Sequence, residues 1–186
     1  KARLLLSFLD VPYERIPVAM KDGTNQVDES YLQLNPRGQI PTIQDGELSL
    51  WGSTAILCYL ASRYDDTARW LPRDPASLGQ VMQWLELAQN EIQTGLFRAR
   101  TIVHFGLAGD LEAAHQAARQ ALGVLEARLG RETWLAGPDP TVADIACFPY
   151  VALANQGHVD TSSFVGVQRW VADFMALDRF VGMPGI

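Results

Sequence analysis

Two stretches of the chain could hold an extended acidic ligand without any basic side chain. In Gln39-Ile40-Pro41 an X-Pro bond sits at the mouth of a strand-like run, and X-Pro is where a cis peptide costs only about 0.5 to 1 kcal/mol. A cis bond would leave the N–H and C=O of Ile40 outside the sheet, free to pair with a peptide-like ligand as an added strand would. Pro41 could equally begin a strand, where its missing N–H does no harm. In Gly52-Ser53 the serine stands before Ile56, Tyr59, Leu60 and Tyr64 at the spacing of one helix face, so Ser53 is expected as an N-cap. The first N–H groups of a helix are orphaned and its positive dipole end favours an anion, so a ligand carboxylate can rest there. A plain cap worth roughly 1 kcal/mol is compatible with that role. Gln39 reads either as a solvated turn residue or as a ligand contact.

Other reactive side chains fall into structural patterns. Thr141 and Asp144, three apart before Ile145, read as a capping box, and Pro149 should kink the helix that follows. Cys58 and Cys147 are far apart and lie in apolar helical patterns, so no metal site and no redox pair is expected. They read as small buried hydrophobes of a reducing cytosol, which makes the expected location cytoplasmic. Arg98, Arg100, His104 and Phe105 cluster near a helix end, where cations complement the dipole; none is assigned as catalytic. Trp84 and Leu85 read as core, while Trp51 fits either core or a dimer contact.

The elements that must position these residues follow from pattern. The chain opens inside a helix, with Leu5, Leu6, Phe8 and Leu9 behind Lys1 and Arg3 and no capping residue in front. Such a helix needs strands to cover its apolar face, so a strand ahead of it is expected. Residues 13–18 read as a strand and 20–29 as an exposed loop. Asp45-Gly46 between two short strand-like runs predicts a two-residue hairpin turn. Helices are expected over 78–105, 111–129, 141–153 and 167–177, with Pro72 and Pro75 in the connection between a mixed first half and an all-helical second half.

Composition closes off several function classes. The 186 residues carry 15 Lys and Arg against 21 Asp and Glu, a net charge of -6, with 48% hydrophobic residues. A chain of this size and apolarity buries its own core and is not disordered. The acidic balance argues against nucleic acid as a partner, and no run reaches the ~18 to 20 apolar residues of a bilayer span, so no membrane partner is expected.

Three motifs in order, Asn35-Pro36-Arg37-Gly38-Gln39-Ile40-Pro41, then Leu50-Trp51-Gly52-Ser53-Thr54-Ala55-Ile56, then Pro140-Thr141-Val142-Ala143-Asp144-Ile145, resemble a cytosolic glutathione transferase over nearly the whole chain. The resemblance implies an α+β protein: a thioredoxin-like glutathione-binding domain over 1–66 with its first strand absent from the chain, a linker over 67–76, and an all-helical domain over 77–186. It implies a cis Pro41, glutathione held by Gln39, Ile40, Pro41, Gly52 and Ser53, a small hydrophobic electrophile in the second half, a homodimer, and conjugation chemistry of the detoxification kind. The family commonly has Glu, Gln or Asp before the serine, where it helps to bind the glutathione amino group; Gly52 offers no such acceptor, so weaker or differently organised recognition of that ammonium is expected. The Tyr, Ser or Cys that activates the thiol in relatives lies ahead of the first helix, so the catalytic residue is expected upstream of Lys1, and Ser7, Tyr13 and Cys58 are not assigned to the role. Glutathione-dependent disulfide or peroxide reduction, and a non-catalytic binding module, are the competing readings.

Overall fold

The computed structural model describes residues 1–18 and 29–186. The first helix, α1 (Ala2–Phe8), buries Leu4, Leu5 and Leu6. The strand expected over 13–18 does not form. Tyr13 and Ile16 are 46% and 71% exposed, Pro12 and Pro17 remove two ladder donors, and no described strand lies alongside. The loop expected over 20–29 lies outside the described residues except for Glu29, which opens α2 (Glu29–Leu34). No residue of α2 is buried, so its sequence carries no apolar periodicity by which to expect it.

Strands β1 (Thr42–Asp45) and β2 (Leu48–Trp51) form an antiparallel pair in which Thr42 faces Trp51 and Asp45 faces Leu48. The turn residues are therefore Gly46 and Glu47, one place later than the Asp-Gly signal suggests. Asp45 stays in the ladder because its Oδ2 accepts hydrogen bonds from two hydroxyls of the next helix, Tyr59 at 2.7 Å and Tyr64. That helix, α3 (Ser53–Tyr64), buries Ile56, Leu57, Leu60 and Ala61.

The second half is helical. Helix α4 (Pro75–Gln89) is capped by Asp74, whose carboxylate accepts from Ser77 N at 3.0 Å, with Pro75 in the first turn where a missing N–H is harmless. The single helix expected over 78–105 is in fact interrupted: after Asn90 the chain makes a π-helical turn (Gln93–Phe97) before α5 (Arg98–Phe105). Helix α6 (Leu111–Leu129) coincides with its expected span, capped by Asp110. Helix α7 (Val142–Ala152) carries Pro149 yet runs on past it, and a 3-10 turn (Ala154–Gly157) leads towards α8 (Val165–Met175), two residues earlier than expected.

One hydrophobic core runs through both halves. Helix α7 is buried from Val142 to Pro149 and packs on α4, α3 and α1. The halves are further stitched by aromatic rings: Phe8 of α1 stacks on Trp70 at 4.8 Å and meets Phe174 of α8 edge-on at 5.9 Å. An amphipathic helix contributes mainly by such burial rather than by its intrinsic propensity.

Candidate functional site

The loop before β1 is built around Asn35, a 1% exposed residue. Its Oδ1 accepts from Arg37 N at 3.0 Å, which closes an Asx turn over Pro36. Its Nδ2 donates to Gln39 O and, at 3.2 Å, to Thr42 Oγ1. Tyr31 Oη of α2 donates to the same Gln39 carbonyl at 2.8 Å. Asn35 thus fixes the path into the Ile40–Pro41 bond, which is cis. The sequence places Asn35 in a motif without showing its role; the one signal is the Asn-Pro pair itself, since a buried Asn must satisfy both ends of its amide.

Of the residues singled out in the sequence, Ile40, Pro41, Gly52 and Ser53 come together. Gly52 N donates to Pro41 O at 3.4 Å. Ile40 is 63% exposed, and no other described residue takes its N–H or C=O. Gln39 enters the arrangement through its carbonyl, while the residue as a whole is exposed. Ser53 is not the N-cap: Gly52 holds that position at φ 85°, and Ser53 is the first residue of α3, making no capping bond. The reason is the bond between Gly52 and Pro41, which draws the backbone into a left-handed turn one residue earlier. The first helical bond runs from Ile56 N to Gly52 O at 3.0 Å, so the amides of Ser53, Thr54 and Ala55 have no described acceptor and form an anion-accepting end.

Neither cysteine thiol is activated. Burial raises the Cys58 and Cys147 thiols above their ordinary range, the opposite of what a nucleophilic thiolate needs. Ser7 Oγ donates to Arg179 O at 2.8 Å, and Tyr13 Oη accepts from Arg3 Nε at 3.1 Å on the surface. Among the described residues no group of three or more His, Cys, Asp or Glu could hold a metal, and no helix is long and apolar enough to cross a membrane.

Asp144 is wholly buried and is more than a cap. Its Oδ2 accepts from Thr141 N at 2.9 Å, completing the capping box, and its Oδ1 accepts from Leu135 N at 3.1 Å and Trp170 Nε1 at 2.9 Å. Burial raises its pKa to about 6, with those donors pulling the other way. Trp84 and Leu85 lie in the core. Trp51 is 39% exposed, with the Arg37 guanidinium 5.6 Å from the centre of its ring.

The chain is similar to known proteins over nearly its whole length. Residues 1–62 match the model of the glutathione S-transferase N-terminal domain and residues 108–179 that of the glutathione S-transferase C-terminal domain. Glutathione S-transferase GstB of Escherichia coli (strain K12) is 30% identical over 178 residues, covering 91% of this chain and 84% of that protein. Disulfide-bond oxidoreductase YfcG of the same strain is 29% identical, covering 91% of this chain and 82% of its own. The crystal structure of a glutathione S-transferase from Pseudomonas fluorescens superposes with a TM-score of 0.86 at 34% identity, covering 97% of this chain and 90% of that one. The architecture is accordingly α+β, a thioredoxin-like first half with a small sheet joined to a helical second half.

Proposed function

Because the chain belongs to the glutathione S-transferase family, we propose that it binds glutathione along Ile40 and the start of α3 and directs its sulfur at a small hydrophobic electrophile. The observation that carries this reading is the conjunction of unengaged groups: the exposed backbone of Ile40 after Gln39, and the free amides at Ser53, joined through Pro41 and Gly52. The cysteinyl backbone of glutathione pairs with Ile40 as an added strand. Its γ-glutamyl carboxylate rests on the α3 amides, with Gln39 reaching the same end. The thiolate then forms a bond to the electrophilic carbon as the leaving group departs with the electron pair. The group that activates the sulfur is assigned to none of Ser7, Tyr13 or Cys58; the family pattern puts it ahead of α1.

Gly52 leaves the glutathione ammonium without a side-chain acceptor. We place that acceptor on a second copy of the chain, packed against the groove that Thr54 of α3 forms with Gly79, Met82, Gln83 and Glu86 of α4. Met82 is 48% exposed there and Thr54 Oγ1 is a buried hydroxyl without a described partner. In this reading the protein is a homodimer.

Isothermal titration of the full-length protein with glutathione tests the assignment. Binding in the micromolar to low millimolar range, weakened at least tenfold in Ser53→Asp by the added negative charge, is the expected result. Absence of binding at ten millimolar glutathione would turn the reading into that of a non-catalytic module. A second activity, reduction of a mixed disulfide with release of oxidised glutathione, is favoured by the likeness to the disulfide-bond oxidoreductase. Faster turnover of a simple dialkyl disulfide than of an aryl halide would select it.

A further inference from the structure

The peptide group between Gln39 and Ile40 is gripped by its carbonyl. Tyr31 Oη donates to Gln39 O at 2.8 Å, and Asn35 Nδ2 donates to the same oxygen, so both lone pairs of that carbonyl are taken. The same two side chains reach the far side of the Ile40–Pro41 pair. Thr42 Oγ1 lies 2.8 Å from Tyr31 Oη and accepts from Asn35 Nδ2 at 3.2 Å. Because the single phenolic proton of Tyr31 goes to Gln39 O, the Thr42 hydroxyl is the donor to Tyr31 Oη. The four groups close a ring in which each hydroxyl and amide proton has an acceptor, and a satisfied network of this kind holds its members more firmly than separate bonds would.

Helix α2 and the residue after it supply the grip. Asn35 N donates to Tyr31 O at 2.9 Å, so the two residues stand one turn apart, at the spacing that puts side chains on the same side of a helix. None of the six residues of α2 is buried, so the ring of hydrogen bonds, rather than apolar packing, ties α2 to the start of β1. The direction of the grip matters because a trans peptide is planar, with its C=O and N–H pointing opposite ways. The Gln39–Ile40 bond is trans, the cis bond being the one after it. With Gln39 O drawn towards Tyr31 and Asn35, the Ile40 N–H must point away from them, to the side where no described residue accepts from it.

We infer that Tyr31, Asn35 and Thr42 are positioning residues for glutathione: by clamping Gln39 O they aim the Ile40 N–H at the carbonyl of the glutathione cysteine. The inference rests on the transferase reading for the identity of the ligand, and it adds the groups that turn the Ile40 backbone into a fixed edge. An extended ligand that pairs with a loop must order that loop, whereas a preorganised edge removes this cost from binding. The clamp acts through Ile40 and away from the sulfur, so its loss falls on glutathione affinity and not on the chemical step.

The test is calorimetric titration of full-length wild type, Tyr31→Phe, Thr42→Val and Thr42→Ser with glutathione, beside steady-state kinetics with a chlorodinitrobenzene. Tyr31→Phe and Thr42→Val open the ring and should each raise the glutathione Kd and KM at least fivefold, with kcat at saturating glutathione within twofold of wild type. Thr42→Ser keeps the hydroxyl and should hold the Kd within twofold of wild type. Tyr59→Phe removes a comparable hydroxyl bond at the other end of β1, to Asp45 at 2.7 Å, and should lower the Tm with the Kd unchanged. Amide exchange at Ile40, read by NMR, locates the effect: saturating glutathione should slow it at least tenfold in wild type and distinctly less in Tyr31→Phe. If wild type binds and the Kd of Tyr31→Phe and Thr42→Val does not move, or if Ile40 is protected equally in wild type and Tyr31→Phe, the clamp is overturned and the transferase reading stands. No glutathione binding by wild type sinks both. Binding that follows the clamp, with no turnover of the chloroarene, upholds the clamp and sinks conjugation alone.

Discussion

The amide of Gly52 donates to the carbonyl of Pro41 at 3.4 Å, so the cap of α3 and the entry to β1 are one structural unit. Gly52 meets this demand at φ 85°, where a side chain is strained even though the space that a Cβ would enter is open, with no atom within 4 Å. Left-handed backbone costs an L residue roughly 1 to 2 kcal/mol. Gly52→Ala should therefore lower the Tm by several degrees, read by calorimetry. Gly52→Glu should carry the same strain yet bind glutathione about three- to tenfold more tightly, because a carboxylate at this cap can accept from the ligand ammonium. Destabilisation with no gain in affinity would show that the ammonium is not bound beside Gly52.

Asp144→Ala tests a different claim, that this carboxylate is architectural. The substitution orphans the buried donors of Leu135, Thr141 and Trp170. Each unsatisfied buried donor costs on the order of 1 to 3 kcal/mol, so a loss of roughly 3 kcal/mol or more is expected. The Tm should fall by about 6 to 12 °C, while the glutathione Kd of the folded fraction stays within twofold. A changed Kd at unchanged Tm would place Asp144 in the binding site instead.

The same carboxyl predicts a pH dependence with an unusual sign. Burial holds its folded pKa near 6, above the value of 3.8 expected when it is unfolded. The folded state therefore binds more protons between those values, and the contribution of this group to stability is largest at low pH and declines as pH rises through the window. The decline is on the order of 3 kcal/mol between about pH 4 and 6, and flat above. Asp45, Asp74 and Asp160 are shifted down by their hydrogen bonds and titrate with the opposite sign, below the ordinary carboxylate range. Urea unfolding of wild type and Asp144→Asn across pH 4 to 8 isolates Asp144, because the other carboxylates are common to both proteins. The stability of wild type minus that of the variant should be smaller at pH 7 than at pH 4, and a difference that stays constant across the range would refute the shift.

How much is legible in the sequence depends on how local the cause is. The capping box at Thr141 and Asp144 and the span of α6 rest on short motifs and periodicity, and the cis Ile40–Pro41 bond on the family resemblance; each has its expected form in the structure. The additional partners of Asp144 are not readable, because Trp170 lies 26 residues away and is brought in by packing alone. The hairpin turn falls one residue later than its signal because Asp45 is claimed by Tyr59 and Tyr64, a tertiary demand that overrides the Asp-Gly turn preference. Ser53 has the residue type of a cap without the position, because the pull of Pro41 on Gly52 depends on the approach of two segments separated in sequence.

The break in the expected long helix has a packing cause that can be tested. At the π-helical turn, Gly95 lies so close to α6 that a Cβ would stand 2.4 Å from Ala118 N and 2.7 Å from Ala118 Cα. The widened turn and the bare glycine together let two backbones touch, and the obstructing atoms are main chain, which cannot rotate aside. Gly95→Ala would gain helix propensity of about 1 kcal/mol in an isolated peptide. In the protein the clash should win: overpacking of this kind costs roughly 1 to 3 kcal/mol or more, so the net expectation is a Tm lowered by several degrees and faster amide exchange in α5 and α6. A variant as stable as wild type would mean that the turn is set by Asn90 and the sequence around it, with the contact to Ala118 incidental.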